Sequence, residues 1–155
     1  CELESQLQEP LDKLLIPVGG GGLISGVSFF AKTNGGIAST IIGAEPETAR
    51  DATDSFYSKT HVTDYKPMTI ADGLRATLGV KNFEIILKNV DEFITATESE
   101  IIEAMKIIWS RLKVIVEPSA AVPLAVILNK PEYFKNERVG VILSGGNLDL
   151  EDLPW

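Results

Sequence analysis

The chain alternates between two hydrophobic periods. "KLLIPV" (13–18) is a continuous apolar run of strand length, and residues 23–32 that follow it read as a helix. "NGG" (34–36) closes that helix, and "STIIGAE" (39–45) is the next strand. Pro46 suits the first position of a helix through "ETARDATDSFY". Residues 59–79 read as loop, "KNFEIILKNV" as helix and "DEFITAT" (91–97) as strand. Thr97 and Glu100 form a capping box for a helix with an apolar face of Ile101, Met105, Ile108, Trp109 and Leu112. "KVIVEP" (113–118) is an apolar run that leads into the helix "SAAVPLAVIL", and "RVGVIL" (138–143) is a last strand ending in "SGGN". Strand–helix alternation with continuous apolar strands predicts an α/β fold, a parallel twisted sheet with helices on both faces. Ligands bind such sheets at the carboxyl ends of the strands.

Composition narrows the partners. The 155 residues make one domain's worth of chain, 45% hydrophobic and 23% charged. A net charge of −8 gives the surface field the wrong sign for nucleic acid or an anionic membrane. The single cysteine, Cys1, forms no internal disulfide, so a reducing, cytoplasmic setting is expected. No run is long enough to span a bilayer. The opening "CELESQLQEP" has Leu3 and Leu7 at helical spacing and no Met, which predicts the C-terminal portion of a longer polypeptide.

The chemistry concentrates in glycine-rich strand ends. Gly19, Gly20, Gly21 and Gly22 follow the first strand and precede a helix. Such a loop has an entropic cost and offers backbone N–H groups to an anion at a helix N-terminus. Neither G-x-G-x-x-G nor the P-loop pattern fits, so a single phosphate ester suits it better than a pyrophosphate or a nucleoside triphosphate. "LSGGN" (143–147) falls on the same sheet edge, where the Ser144 hydroxyl suits a neutral heteroaromatic nitrogen. In "VEPSAA", Glu117 sits at a strand-to-helix junction and either caps the helix or faces a ligand. Glu45 and Asp51 in "GAEPETARDA" read from the residues alone as solvated charges, and His61 as a lone surface histidine. There is no G-x-S-x-G elbow, so serine hydrolysis has no support.

Taken together and in order, "PVGGGGLISG", "GAEP", "TIADGL", "VEPSAA" and "LSGGN" resemble the serine racemase and serine/threonine dehydratase family. These are pyridoxal-phosphate enzymes of the tryptophan-synthase-β-like fold. The resemblance covers essentially the whole chain and implies that residues 1–155 are the C-terminal part of a large cofactor-binding domain. It implies that Gly19, Gly20, Gly21, Gly22 and Leu23 hold the cofactor phosphate. Ser144 would meet the pyridine nitrogen, Glu117 would lie beside the ring, and Gly145 and Asn147 would complete the cofactor set. Glu45, the Ala49 carbonyl and Asp51 match the family's divalent-cation site, for Mg²⁺ or Ca²⁺. Lys113 and Asn147 fall where nucleotide-responsive members contact ATP. The family's Schiff-base lysine, the serine on the opposite cofactor face and the small domain all belong upstream, so this chain alone is expected to be inactive.

The implied reaction is α-proton abstraction from a small hydroxy amino acid such as serine, threonine or hydroxyaspartate, by a homodimer. Reprotonation then gives racemisation, and loss of the β-hydroxyl gives an ammonia-lyase. The alternatives are a β-replacement enzyme of the cysteine-synthase type and a non-catalytic phosphate-binding fragment.

Overall fold

The computed structural model describes residues 2–33 and 36–155. Four strands, β1 (Leu11–Pro17), β2 (Ala38–Pro46), β3 (Glu92–Ala96) and β4 (Val139–Val141), form one parallel sheet in the order β3-β2-β1-β4. β1 is central: Leu14 pairs with Ile41 on one side and with Gly140 on the other. All strands run one way, so the loops after β1, β2 and β4 emerge on a single edge.

Helices cover both faces, as the alternation predicts. Odd and even positions of the strands supply two cores. Leu14, Ile16 and Ile41 pack with α2 (Gly22–Thr33), α3 (Asp51–Ser58) and α4 (Val80–Asn89) through Ile24, Phe56 and Ile86. Leu15, Ile42 and Ile94 pack with α5 (Glu98–Ile107) and α6 (Pro118–Asn129) through Ile101, Met105 and Ala121. Each wholly buried Leu or Ile contributes about 1.5–3 kcal/mol, which is why these strands read as unbroken apolar runs. A short first helix, α1 (Glu2–Gln6), precedes β1, and Leu3 and Leu7 lean on the first core. Among the described residues no helix is long and apolar enough to cross a membrane.

Local chemistry explains several boundaries. Thr97 Oγ1 accepts the Glu100 amide and Glu100 Oε2 accepts the Thr97 amide, the reciprocal capping box expected at α5. Of the expected "NGG" stop, Asn34 and Gly35 lie outside the described residues, while Gly36 has a left-handed φ of 72°.

Three expectations need correction. Pro46 does not open a helix; it ends β2, and its carbonyl accepts the Ala49 amide at 3.0 Å in a tight turn before α3 begins at Asp51. The run 113–117 forms no strand: among the described residues its backbone tie to the segment after β4 is the single bond from the Glu117 amide to Gly145 O, too few for a ladder, and Val114 and Ile115 are exposed. Instead α5 continues through a π-helical turn (Ile108–Leu112), reverses at left-handed Lys113, and is tied down where Trp109 Nε1 donates to Val116 O at 3.0 Å. The last strand is three residues long rather than six.

Candidate active site

The glycine loop begins where β1 ends. Val18 makes the last sheet bond, its amide donating to Ala44 O. Beyond it, among the described residues, the amides of Gly19, Gly20, Gly21, Gly22 and Leu23 donate to no acceptor. Successive unpaired N–H groups that run into the first turn of a helix make a site of positive potential. Gly21 has φ 82°, and an added Cβ there would lie 2.5 Å from Leu78 Cδ1, so only glycine holds this turn. The loop lines a cleft of about 200 Å³ together with Gly73, Leu74, Glu117, Ser119 and Ser144.

The opposite wall is built from the segment after β4 and the start of α6. The Ser144 side chain has no hydrogen-bond partner among the described residues, and its hydroxyl is free to donate or accept in the cleft. Glu117 occupies the N-cap position of α6, yet its carboxylate makes no cap bond. It reaches across to accept the Asn147 amide at 2.8 Å, while the Glu117 amide donates to Gly145 O at 3.3 Å. Gly145, at φ 110°, lets the backbone lie against this carboxylate: an added Cβ would sit 2.6 Å from Glu117 Cδ. The floor comes from the loop after α3, where the Gly73 amide donates to Ser119 Oγ at 3.1 Å. Gly73 and Ser119 were not singled out from the sequence, although "TIADGL" and "VEPSAA" contain them.

Asn147 and Gly145 do not line the glycine cleft themselves; Asn147 is tied to it through the bond from its amide to Glu117. Asn147 lines a separate cleft of about 390 Å³ with Asp72, Asp149 and Asp152. Lys113 is exposed at the end of the π-helical turn and does not line the glycine cleft.

Glu45 and Asp51 are not solvated charges. Both are buried, at 0% and 2% exposure. Glu45 accepts the Ala52 amide at 3.2 Å and both the amide and hydroxyl of Thr53 at 2.7 and 2.6 Å. Asp51 Oδ2 accepts the Leu78 amide at 2.7 Å. Burial pushes the Glu45 carboxyl up to about 8, with the nearby Asp51 charge adding to it. Burial also raises Asp51. No Lys or Arg pairs with either among the described residues. Buried Ala49 sits between them in sequence. Among the described residues no group of three or more His, Cys, Asp or Glu side chains is placed to hold a metal ion. Any cation here would need backbone carbonyls and water beside the two carboxylates. His61 is not a free surface histidine either: Nε2 lies 2.6 Å from Leu78 O and the ring stacks on Phe83.

Comparison with known proteins shows the family and the fold. The chain is 46% identical over 154 residues to a beta-hydroxyaspartate dehydratase of Paracoccus denitrificans, covering 99% of this chain and 48% of that protein. It is 45% identical to a serine racemase of Arabidopsis thaliana, covering 98% of this chain and 47% of the relative. The crystal structure of serine racemase from Dictyostelium discoideum superposes with a TM-score of 0.86 at 44% identity, over 96% of this chain and 48% of that one. The chain therefore spans about half the length of the relatives it matches. The model of the pyridoxal-phosphate dependent enzymes matches residues 1–145, which takes in every strand and the glycine loop: this chain belongs to that family.

Proposed function

We propose that the complete protein is a pyridoxal-phosphate-dependent racemase or ammonia-lyase acting on a small β-hydroxy amino acid, and that this chain supplies the phosphate and ring contacts of its large domain. One observation carries the reading: Gly19 to Leu23, whose amides have no acceptor among the described residues, line one cleft with Ser144, whose hydroxyl has no partner among them. These residues fit the cofactor. The amides would hold its phosphate, Ser144 would meet its ring nitrogen without protonating it, and Glu117, Gly145 and Asn147 would shape the ring's edge. When bound, pyridoxal phosphate supplies the electron sink that makes an amino acid's α-proton acidic. The chain's own part is to orient that group and to keep a proton off its nitrogen. The lysine that would carry the cofactor is expected upstream. The names of the dehydratase and racemase relatives support reprotonation or β-elimination over β-replacement.

The same reading places a divalent cation, Mg²⁺ or Ca²⁺, at Glu45, the Ala49 carbonyl and Asp51. Its support is two buried carboxylates without a cationic side-chain partner among the described residues, in a segment of seven positions.

Gly22→Asp tests the cofactor assignment. An added Cβ at Gly22 meets nothing within 4 Å, so the side chain fits while its charge opposes a phosphate. The full-length variant is expected to fold normally and lose the cofactor's visible absorbance. Retention of full absorbance would overturn the assignment.

A further inference from the structure

Gly20 carries two hydrogen bonds on one carbonyl. Asn82 Nδ2, in the first turn of α4, donates to Gly20 O at 2.6 Å, and the Gly79 amide donates to the same oxygen at 3.1 Å. Sixty-two residues separate Asn82 from Gly20. The peptide unit that holds Gly20 O also holds the Gly21 N–H, and in a trans peptide the two point in opposite directions. Pinning the carbonyl towards α4 therefore fixes the Gly21 amide away from α4. That amide has no acceptor among the described residues, and Gly21 lines the cleft. The left-handed φ of Gly21 belongs to this arrangement, with Leu78 and Asn82 Cβ packed against its Cα.

We infer that Asn82 is a positioning residue that aims the Gly21 amide at the anion, and so sets the protein's preference for a phosphorylated over a non-phosphorylated cofactor. The inference rests on the assignment of the glycine loop to the phosphate. Side-chain amides suit the task because they donate without bringing a charge close to the bound anion. Asp at the same position is nearly isosteric, cannot donate when ionised, and would set a carboxylate against Gly20 O. Leu keeps the volume and removes the donor.

The test uses the full-length protein stripped of cofactor, titrated separately with pyridoxal 5′-phosphate and with pyridoxal, for wild type, Asn82→Asp and Asn82→Leu. Melting of each cofactor-free protein is measured alongside. Misdirecting one charge-assisted amide–phosphate bond is expected to raise the Kd for pyridoxal phosphate about tenfold or more, while that for pyridoxal stays within about twofold. The ratio of the two affinities then falls in both variants without a matching loss of melting temperature. An unchanged ratio in both variants overturns the role of Asn82 and leaves the glycine-loop assignment standing. So does an equal weakening of both ligands with a lowered melting temperature, which marks Asn82 as part of the general packing. If the wild-type protein itself does not distinguish the two ligands, the assignment of the loop to phosphate fails, and the role of Asn82 with it.

Discussion

Glu117 and Asn147, thirty residues apart, are joined by a 2.8 Å bond from the Asn147 amide to Glu117 Oε2. Glu117 stands at the head of α6, where an acidic side chain ordinarily caps the helix, but the carboxylate turns outward to the loop after β4. The return bond from the Glu117 amide to Gly145 O closes a two-way tie. The tie holds the residues next to Ser144, which lines the cleft with Glu117 and the glycines. Glu117 thus shapes the wall of the site.

Removing that carboxylate should loosen the wall selectively. Glu117→Ala leaves the Asn147 amide without its acceptor, at a cost of about 1–2 kcal/mol for a partly exposed charged hydrogen bond. Glu117→Gln keeps an acceptor oxygen and should cost less. Amide hydrogen exchange at residues 145–147 is expected to speed up in the Ala variant and stay near wild type in the Gln variant. Equal exchange in all three proteins would show that the bond does not hold the loop.

Neighbouring glycines should differ sharply. At Gly20 an added Cβ has ordinary contacts, 3.7 Å from Thr77 O, whereas at Gly21 it meets Leu78 Cδ1 at 2.5 Å with φ at 82°. Gly21→Ala should therefore cost about 1–3 kcal/mol through overpacking, with backbone strain added to it. Gly20→Ala should stay within about 1 kcal/mol. Urea unfolding of the two variants measures the difference, and equal losses would mean that the loop backbone relaxes freely.

The sequence revealed the sheet and the loops because both are local signals. Unbroken apolar runs such as "KLLIPV" need neighbours on both faces, and Thr97 and Glu100 carry their capping box within four positions. Expectation failed where a residue's environment is set from afar. Pro46 resembles a helix starter, yet pairing with Ala96 of β3 keeps it in the sheet. "KVIV" has strand composition, but the segment after β4 beside it makes one backbone bond, from the Glu117 amide to Gly145 O, and no ladder. Glu45 and Asp51 look like surface charges because the amides that accompany them into the interior belong to the fold, those of Thr53 and Leu78. Asn82 left no local trace, since its partner is 62 residues away.

The buried Glu45 makes stability depend on pH. Its carboxyl titrates near 8 in the folded chain against 4.5 when exposed, so between those values the folded state holds a proton that the unfolded state has released. Stability is therefore fully present at the acid end of this window and falls as pH rises through it, by up to about 1.4 kcal/mol per pH unit. Urea titrations of the full-length protein in chelator should show this decline, and Glu45→Gln should flatten it. Added Mg²⁺ or Ca²⁺ should flatten it too, because a cation favours the ionised carboxylate. A slope that survives Glu45→Gln unchanged would assign the effect to another group.

Ser144 offers the cleanest separation of stability from chemistry. Its hydroxyl has no protein partner among the described residues, so Ser144→Ala breaks no bond in the fold and should change stability by less than about 0.5 kcal/mol. If the hydroxyl meets the ring nitrogen, its loss removes one hydrogen bond, worth about 0.5–1.5 kcal/mol net, and misplaces the ring. Turnover of the complete enzyme should then fall while its melting temperature holds. Ser144→Asp goes further, since a carboxylate would keep a proton on the ring nitrogen and draw charge away from the substrate's α-carbon. That shifts the balance between reprotonation and loss of the β-hydroxyl. The measurement is the ratio of racemised serine to keto acid for wild type and both variants, in full-length protein. A changed ratio in Ser144→Asp with a preserved fold supports the ring contact; an unchanged ratio and unchanged turnover in both variants would reduce Ser144 to a residue of the turn.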